Sequence, residues 1–217
     1  MKIDIKFAER MIEIVAESFF IHGYLDEKDI ESKNTLIDKM QEILDSETID
    51  IDFVIDHSEY ILDKAYSFEK SGDLDLSIVF FVIFFEHSLN KLIDYQLREK
   101  NISKKAKNEL IRSVNIAGKC GWLLEVLDLP YFNRSHAKNI QELADNRNAF
   151  IHYKWNPKCE KNNDNRGELI LKAKSTVKYL KNYLSRILYK GQKSKLDKLF
   201  AKKSNKKIKN SQSLHLS

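Results

Sequence analysis

Apolar residues recur every three or four positions along most of this sequence, and little interrupts them. Two prolines and six glycines occur in 217 residues, and these are the residue types that most often mark turns. Apolar spacing in steps of three and four is the pattern of a helix that buries one face, whereas a strand alternates in steps of two. The sequence therefore predicts an all-α fold, built as a helical bundle.

Helix caps and breakers divide this pattern into segments. Ser103 is suited to cap the start of a helix, and Gly23 is suited to end one. The run IVFFVIFF at 78–85 has the composition of a buried strand, but Leu89 and Ile93 continue it at helical spacing. We expect helices over 3–22, 32–44, 51–70, 73–99, 103–114, 136–154 and 167–189, with a shorter segment at 119–128.

The positive charge of the chain is concentrated at its C-terminal end. Residues 191–217 contain eight lysines and one aspartate, a net charge of +7, whereas the whole chain carries +5. Such a tail either contacts nucleic acid or acidic partners, or keeps the protein soluble. We expect three regions: an N-terminal helical extension over 1–72 that packs on the core, a helical bundle over 73–190, and a basic, disordered tail over 191–217.

Cysteines, charges and apolar run lengths restrict where the protein acts. Cys120 and Cys159 are too few for a disulfide framework and lack the spacing of a metal site. Charges interrupt residues 1–20 every few positions, unlike a signal peptide. The most apolar run, 78–85, is far shorter than a membrane span. We therefore expect a cytoplasmic protein with no membrane partner, no cofactor and no metal site.

An arginine lies at the centre of the apolar stripe of the helix predicted over 136–154. At about 100° per residue from Ile140, Arg147 falls near −20°, among the apolar side chains. Along one edge of this stripe runs a polar seam of Gln141, Asp145, Asn148 and His152. Glu142 and Asn146 fall on the far side, where we expect water. A cation among apolar neighbours needs a partner, a solvent-filled groove or a subunit interface.

The long apolar helix predicted over 73–99 offers a partner for this arginine. Its core-facing stripe includes Glu86, the one acid between Asp75 and Asp94. We expect Glu86 to approach Arg147 or the polar seam and to hold it in place. A structural ion pair, with His152 favoured at the helix end by the helix dipole, is the alternative interpretation.

Arginine, histidine and an amide together suit the cleavage of RNA without a metal ion. In that reaction the ribose 2′-hydroxyl attacks the neighbouring phosphate and leaves a cyclic phosphate and a free 5′-hydroxyl. Histidine suits the proton transfers because the pKa of an unperturbed imidazole lies near neutral pH. Arginine suits the phosphate because it stays cationic and can bind two oxygens at once. Arg147, His152 and Asn148 are therefore candidate catalytic residues.

The hexapeptide RNAFIH at 147–152 resembles the signature of the HEPN superfamily: Arg, a polar residue that is often Asn, three further residues and His. The segment SIVFFVIFFEHSLNKLI at 77–93 is similar to the helix that precedes this signature, which often carries an acid at the corresponding place. The resemblance covers about 73–190 and rests on a short motif. It implies an all-α, metal-independent endoribonuclease of the kind that acts in toxin–antitoxin and anti-phage abortive-infection systems.

The resemblance also implies partners and roles. RNA would be the substrate, an antitoxin protein would be a partner, and two subunits would face each other so that their motifs form one composite site. By position, Arg147 and His152 would be catalytic, Asn148 would support them, and Glu86 would be a fourth member. One branch, paired with nucleotidyltransferase antitoxins, has a tyrosine two residues after the histidine. Lys154 stands there instead, which disfavours that branch.

Two other classes of function fit the same sequence. A non-catalytic helical module could use this surface to bind RNA or a protein partner, and a bundle driven by the lysine tail could bind DNA. Loss of Arg147 or His152 abolishes toxicity and RNA cleavage under the enzyme interpretation alone. Deletion of 191–217 abolishes function under the DNA-binding interpretation.

Overall fold

The computed structural model describes residues 5–46, 56–152 and 165–200. Within these ranges every regular element is a helix and no strand occurs, which confirms the predicted all-α fold. The described helices are α1 (Ile5–Ile21), α2 (Lys33–Asp45), α3 (Ser58–Ser71), α4 (Leu74–Glu99), α5 (Lys104–Ser113), α6 (Ile116–Cys120), α7 (Trp122–Val126), α8 (Arg134–Ile151), α9 (Asn165–Leu188) and α10 (Lys193–Phe200).

The chain forms two compact units. One unit combines Met1–Asp52 with Ser185–Ser217, and the other is the continuous segment Phe53–Leu184. These divisions differ from the predicted ones, because α3 packs on α4 and so belongs to the central unit instead of to an N-terminal extension ending at residue 72. The C-terminal segment groups with the first helices of the chain.

Helix α4 is the centre of the larger unit. It contacts α3, α5, α6 and α8, and apolar side chains such as Phe81, Phe85 and Leu89 are completely buried. Among the described helices, α4 is the one long and apolar enough to cross a membrane by length and composition alone. Because 56% of its most apolar window is buried inside the chain, the same composition is explained by its place at the centre of a bundle.

Two helix ends follow the predicted capping residues. Ser103 Oγ accepts the Ala106 N–H, as expected of an N-cap residue. Ser32 Oγ caps α2 in the same way by accepting the Thr35 N–H. Gly23 lies at φ +77 just after α1, a left-handed conformation that glycine adopts without strain.

Helix α3 begins later than predicted. The prediction placed its start at 51, whereas the helix begins at Ser58. Asp56 Oδ1 accepts the Ser58 N–H at 2.8 Å, and this local bond starts the helix by satisfying an N–H that has no partner within it. Residues 51–55 lie outside the described ranges.

The predicted short segment at 119–128 is instead a pair of helices, α6 and α7. They are separated at Gly121, whose backbone (φ −117, ψ −117) is not helical. At Gly118, an added Cβ would lie 2.7 Å from Val114 Cγ1 and 3.0 Å from Trp122 Nε1. Helix α6 therefore needs glycine at position 118 to fit against its neighbours.

The smaller unit contains a helix where the sequence predicted a disordered tail. Residues Lys193–Phe200 form α10, which contacts α1. Leu196 is buried, and Lys193 pairs with Glu17 at 2.7 Å. One apolar position and ion pairs are enough to dock this short lysine-rich helix. The rest of the predicted tail, 201–217, lies outside the described ranges.

Helix α8 carries most of the candidate residues. Asn133 Oδ1 accepts the N–H groups of Ser135 and His136 and so caps its start. The helix ends at Ile151 instead of 154, and Tyr153 and Lys154 lie outside the described ranges. The face predicted to lie in water is partly covered, because Glu142 Oε2 accepts a bond from Lys172 of α9 at 3.0 Å.

Candidate functional site

Arg147 and Glu86 form an ion pair between α8 and α4. Arg147 Nη2 donates to Glu86 Oε1 at 3.1 Å, and the two side chains are 19% and 34% exposed. The predicted approach of Glu86 to Arg147 is therefore confirmed. Each helix turns its apolar stripe towards the other, and each stripe carries one ion of opposite sign, so packing of the stripes brings the charges together.

The guanidinium is not fully satisfied by this pair. Arg147 Nε is buried and has no hydrogen-bond partner. A buried donor without a partner costs about 1–3 kcal/mol. The described residues provide one hydrogen bond to the guanidinium, from Nη2 to Glu86. Its other Nη hydrogens could donate to an oxyanion, whereas Nε is closed off by burial.

The apolar stripe of α8 emerges from the core at its C-terminal end. Ile140 and Leu143 are completely buried and Ala144 is 2% exposed. Ile151, which continues the same stripe two turns later, is 48% exposed. Arg147 therefore lies at the border between the core and an exposed apolar edge, instead of deep within the bundle.

Asn148 and His152 lie on the exposed side of the end of α8. His152 follows the last helical residue, and its N–H donates to the Asn148 carbonyl at 3.0 Å. Within the described residues, neither side chain forms a hydrogen bond with Arg147 or Glu86. The structure thus brings two of the four predicted residues into contact and leaves the other two in solvent.

The first two residues of the predicted polar seam are in contact, since Gln141 Nε2 donates to Asp145 Oδ1 at 2.7 Å.

Two other described histidines, His87 and His136, are held by contacts within the chain. His87 Nε2 lies 3.6 Å from Asp56 Oδ1. His136 Nδ1 lies 3.0 Å from Thr176 Oγ1, and its ring stacks on Tyr179 at 4.3 Å. Burial lowers the pKa of His136. These contacts fit structural roles, whereas the His152 side chain is exposed at a helix end.

Sequence reasoning missed a second cation beside Glu86. Lys119 of α6 is 7% exposed, and α6 packs on both α4 and α8. Burial lowers the pKa of Lys119 below its usual 10.5, and the negative charge of Glu86 offsets part of that change. Little in the sequence indicated that Lys119 is buried, because α6 is five residues long and shows too little periodicity to assign a buried face.

Two acidic groupings lie away from these cations. A cleft of about 380 Å³ between α8 and α9 is lined by Glu142, Asp145, Glu168 and Lys172, among others. Its excess of carboxylates disfavours a phosphate backbone. In the smaller unit, the carboxylate oxygens of Glu13, Glu17 and Asp197 are close enough to share a cation. Lys193 already pairs with Glu17 and with Asp197, so this grouping is explained by packing of α10 on α1.

We compared the chain with family models, curated proteins and solved structures. None of them matches.

Proposed function

We propose that this protein is a metal-independent endoribonuclease of the HEPN type that acts in the cytoplasm as a toxin or an anti-phage defence protein. The observation that carries the proposal is the position of Arg147: an arginine held by Glu86 in the apolar stripe of α8, beside an exposed helix end. Five residues later the same helix ends at His152, which completes the RNAFIH motif.

The proposed site is composite, formed where two copies of α8 meet. Arg147 is partly buried against α4, whereas His152 is exposed beyond the last residue of the helix, so one motif alone is poorly suited to place both on one phosphate. The exposed Ile151 at the end of the stripe supports this arrangement, because an apolar edge beside a half-buried cation favours cover by a second subunit.

Each residue has a distinct role in the proposed reaction. The 2′-oxygen attacks the phosphorus and the bond to the 5′-oxygen breaks, which leaves a 2′,3′-cyclic phosphate and a 5′-hydroxyl. His152 transfers a proton, as the base that takes it from the 2′-hydroxyl or as the acid that gives it to the leaving oxygen. Arg147 binds the charged phosphate oxygens. Glu86 orients Arg147, and Asn148 positions the RNA or His152.

The proposal is tested by incubating purified protein with RNA in the presence of a chelator. We expect the wild-type chain to cleave, and Arg147→Ala and His152→Ala to lose at least about a hundredfold in rate, the usual range for general acid–base groups and oxyanion contacts. Arg98→Ala and His87→Ala are matched controls, because each removes the same residue type from an ion pair elsewhere in the same unit. Both controls should keep the wild-type rate.

The competing proposal is a non-catalytic helical module that binds RNA or a protein partner. It is favoured by the Arg147–Glu86 pair, since a structural ion pair accounts for the contact without any reaction. Intact RNA at every protein concentration, together with equal effects of wild type, Arg147→Ala and His152→Ala on the growth of an expressing cell, would establish the module and reject the enzyme.

A further inference from the structure

Lys119 is buried without a direct counterion. It is 7% exposed, and among the described residues no carboxylate forms an ion pair with it. Lys107 provides the comparison within the same unit. It is also 7% exposed, but its ammonium binds Asp94 Oδ1 at 2.7 Å. Buried charges are ordinarily paired. Lys107 follows this rule, whereas Lys119 has no carboxylate partner among the described residues.

The ammonium of Lys119 still reaches solvent although its stem is buried. The described side-chain polar atoms that are both buried and unpartnered are Asn90 Oδ1 and Arg147 Nε. Lys119 Nζ is not one of them and forms no hydrogen bond within the described chain, so it keeps access to water. This is the arrangement in which a lysine covers apolar surface with its carbon chain and holds its charge at the surface.

Lys119 and Arg147 lie on helices that both pack on α4, the helix that carries Glu86. Glu86 binds Arg147 of α8 directly, and α6, which carries Lys119, contacts both α4 and α8. The negative charge of Glu86 accordingly favours the protonated form of Lys119 and raises its pKa against the effect of burial. The three side chains together carry a net charge of +1 in a partly buried place. One phosphodiester group carries a charge of −1, which would neutralise the cluster and give partners to the donors that Arg147 and Lys119 leave unused.

The backbone that carries Lys119 is held firmly. Asn115 Oδ1 accepts the Gly118 N–H at 2.8 Å and caps α6, and Gly118 allows close contact with Val114 and Trp122. A cation on a fixed backbone is preorganised for an anion, since less freedom is lost when the anion binds.

We propose that Lys119 is a second phosphate-binding residue of the site, whose ammonium binds a non-bridging oxygen of the RNA backbone beside Arg147. This inference rests on the proposed function and adds a residue to it. Lysine suits the role because its compact charge can follow a phosphate without the fixed geometry that a guanidinium requires.

The test measures binding instead of cleavage. An RNA oligonucleotide with 2′-O-methyl riboses cannot react, so its affinity is measured by fluorescence anisotropy over a series of salt concentrations. Lys119→Met keeps the apolar stem and removes the charge. We expect it to bind about tenfold more weakly and to lower the slope of log affinity against log salt by about 0.7, the change for one lost phosphate contact on a single strand.

Matched variants separate a role in binding from a role in folding. Lys107→Met removes an equally buried lysine and should leave the affinity within about twofold of wild type and the salt slope unchanged. Lys119→Arg keeps the charge and should retain most of the affinity. If Lys119→Met binds as wild type does while Arg147→Ala binds weakly, the role of Lys119 is refuted and the proposed function stands. If the wild-type chain does not bind the oligonucleotide, both proposals fall.

Discussion

At the scale of single residues, the Arg147–Glu86 pair is the contact on which the candidate site depends. Two oppositely charged side chains, each on a core-facing stripe, were enough to predict this contact from the sequence, because a buried charge requires a partner. Lys119 was not predicted, because a lysine in a short segment gives no sign of its burial until the packing of α6 is known.

Removal of Glu86 should destabilise the fold more than removal of its partner. Glu86→Gln leaves both Arg147 and Lys119 without their shared negative charge, and we expect it to lower the free energy of unfolding by about 2 kcal/mol. Arg147→Met removes a cation and supplies an apolar side chain, so its cost should be below about 1 kcal/mol. Urea unfolding of each variant measures both values. Equal costs would show that the shared charge is not important.

The Asp94 cluster predicts a change of stability with pH. Burial alone would raise the pKa of Asp94, but hydrogen bonds from Lys107 and Arg98 and their positive charges outweigh it, so the pKa lies below its usual 3.8. A lowered pKa in the folded state stabilises the protein above the unfolded value, and this contribution is lost as pH falls through the folded pKa.

Asp94→Asn should therefore be less stable than wild type by an amount on the order of 1–2 kcal/mol at pH 7. The difference should shrink as the pH falls below 3.8. Thermal unfolding of both proteins from pH 7 to pH 3 measures this difference. A difference that stays constant over the whole range would show that the carboxylate of Asp94 contributes nothing through its charge.

At the scale of helices, apolar spacing and capping residues predicted most elements, and local polar bonds explain the exceptions. Helices α4 and α5 begin and end within one residue of their predicted bounds. The long apolar stripe of α4 and the serine cap of α5 determine where these helices lie in the sequence. The predicted start of α3 was wrong, because residues 56 and 57 are not helical and Asp56 accepts the Ser58 N–H at the first turn of the helix. Helix α10 was not predicted, because its lysine-rich sequence contains a single buried leucine, Leu196, and one apolar position shows no helical periodicity.

The cap of α6 offers a prediction at this scale. Asn115→Ala removes the acceptor of the Gly118 N–H, and we expect a loss of about 1 kcal/mol, the usual cost of losing an N-cap. Ser103→Ala removes the corresponding cap of α5 and should cost a similar amount. RNA binding separates the two, because α6 carries Lys119 and α5 does not. If both variants bind RNA equally well, α6 has no role in the site.

At the scale of the whole molecule, the candidate site lies in the unit Phe53–Leu184. Helices α4, α6 and α8 contribute its residues. The predicted ranges assigned α3 to an N-terminal extension, whereas α3 packs on α4 within the larger unit. The boundary of the larger unit depends on contacts between helices, such as those of α3 with α4. A local sequence pattern does not predict which helices pack together.

The composite site predicts a dimer that depends on the exposed end of the α8 stripe. Ile151→Lys places a charge in the proposed interface and should convert a dimer into a monomer and abolish cleavage. Leu171→Lys changes a still more exposed apolar residue, 67% accessible on α9, and should leave the assembly unchanged. Sedimentation equilibrium measures both. A wild-type chain that is monomeric at the concentrations at which it cleaves RNA would contradict the composite site.

The most direct test of the central claim is the chemical identity of the RNA ends produced in the presence of a chelator. Attack by the 2′-hydroxyl, with a proton moved by His152 and the phosphate held by Arg147, predicts a 2′,3′-cyclic phosphate on one fragment and a free 5′-hydroxyl on the other. Fragments that carry a 5′-phosphate and a 3′-hydroxyl, or cleavage that His152→Ala retains in full, would contradict it.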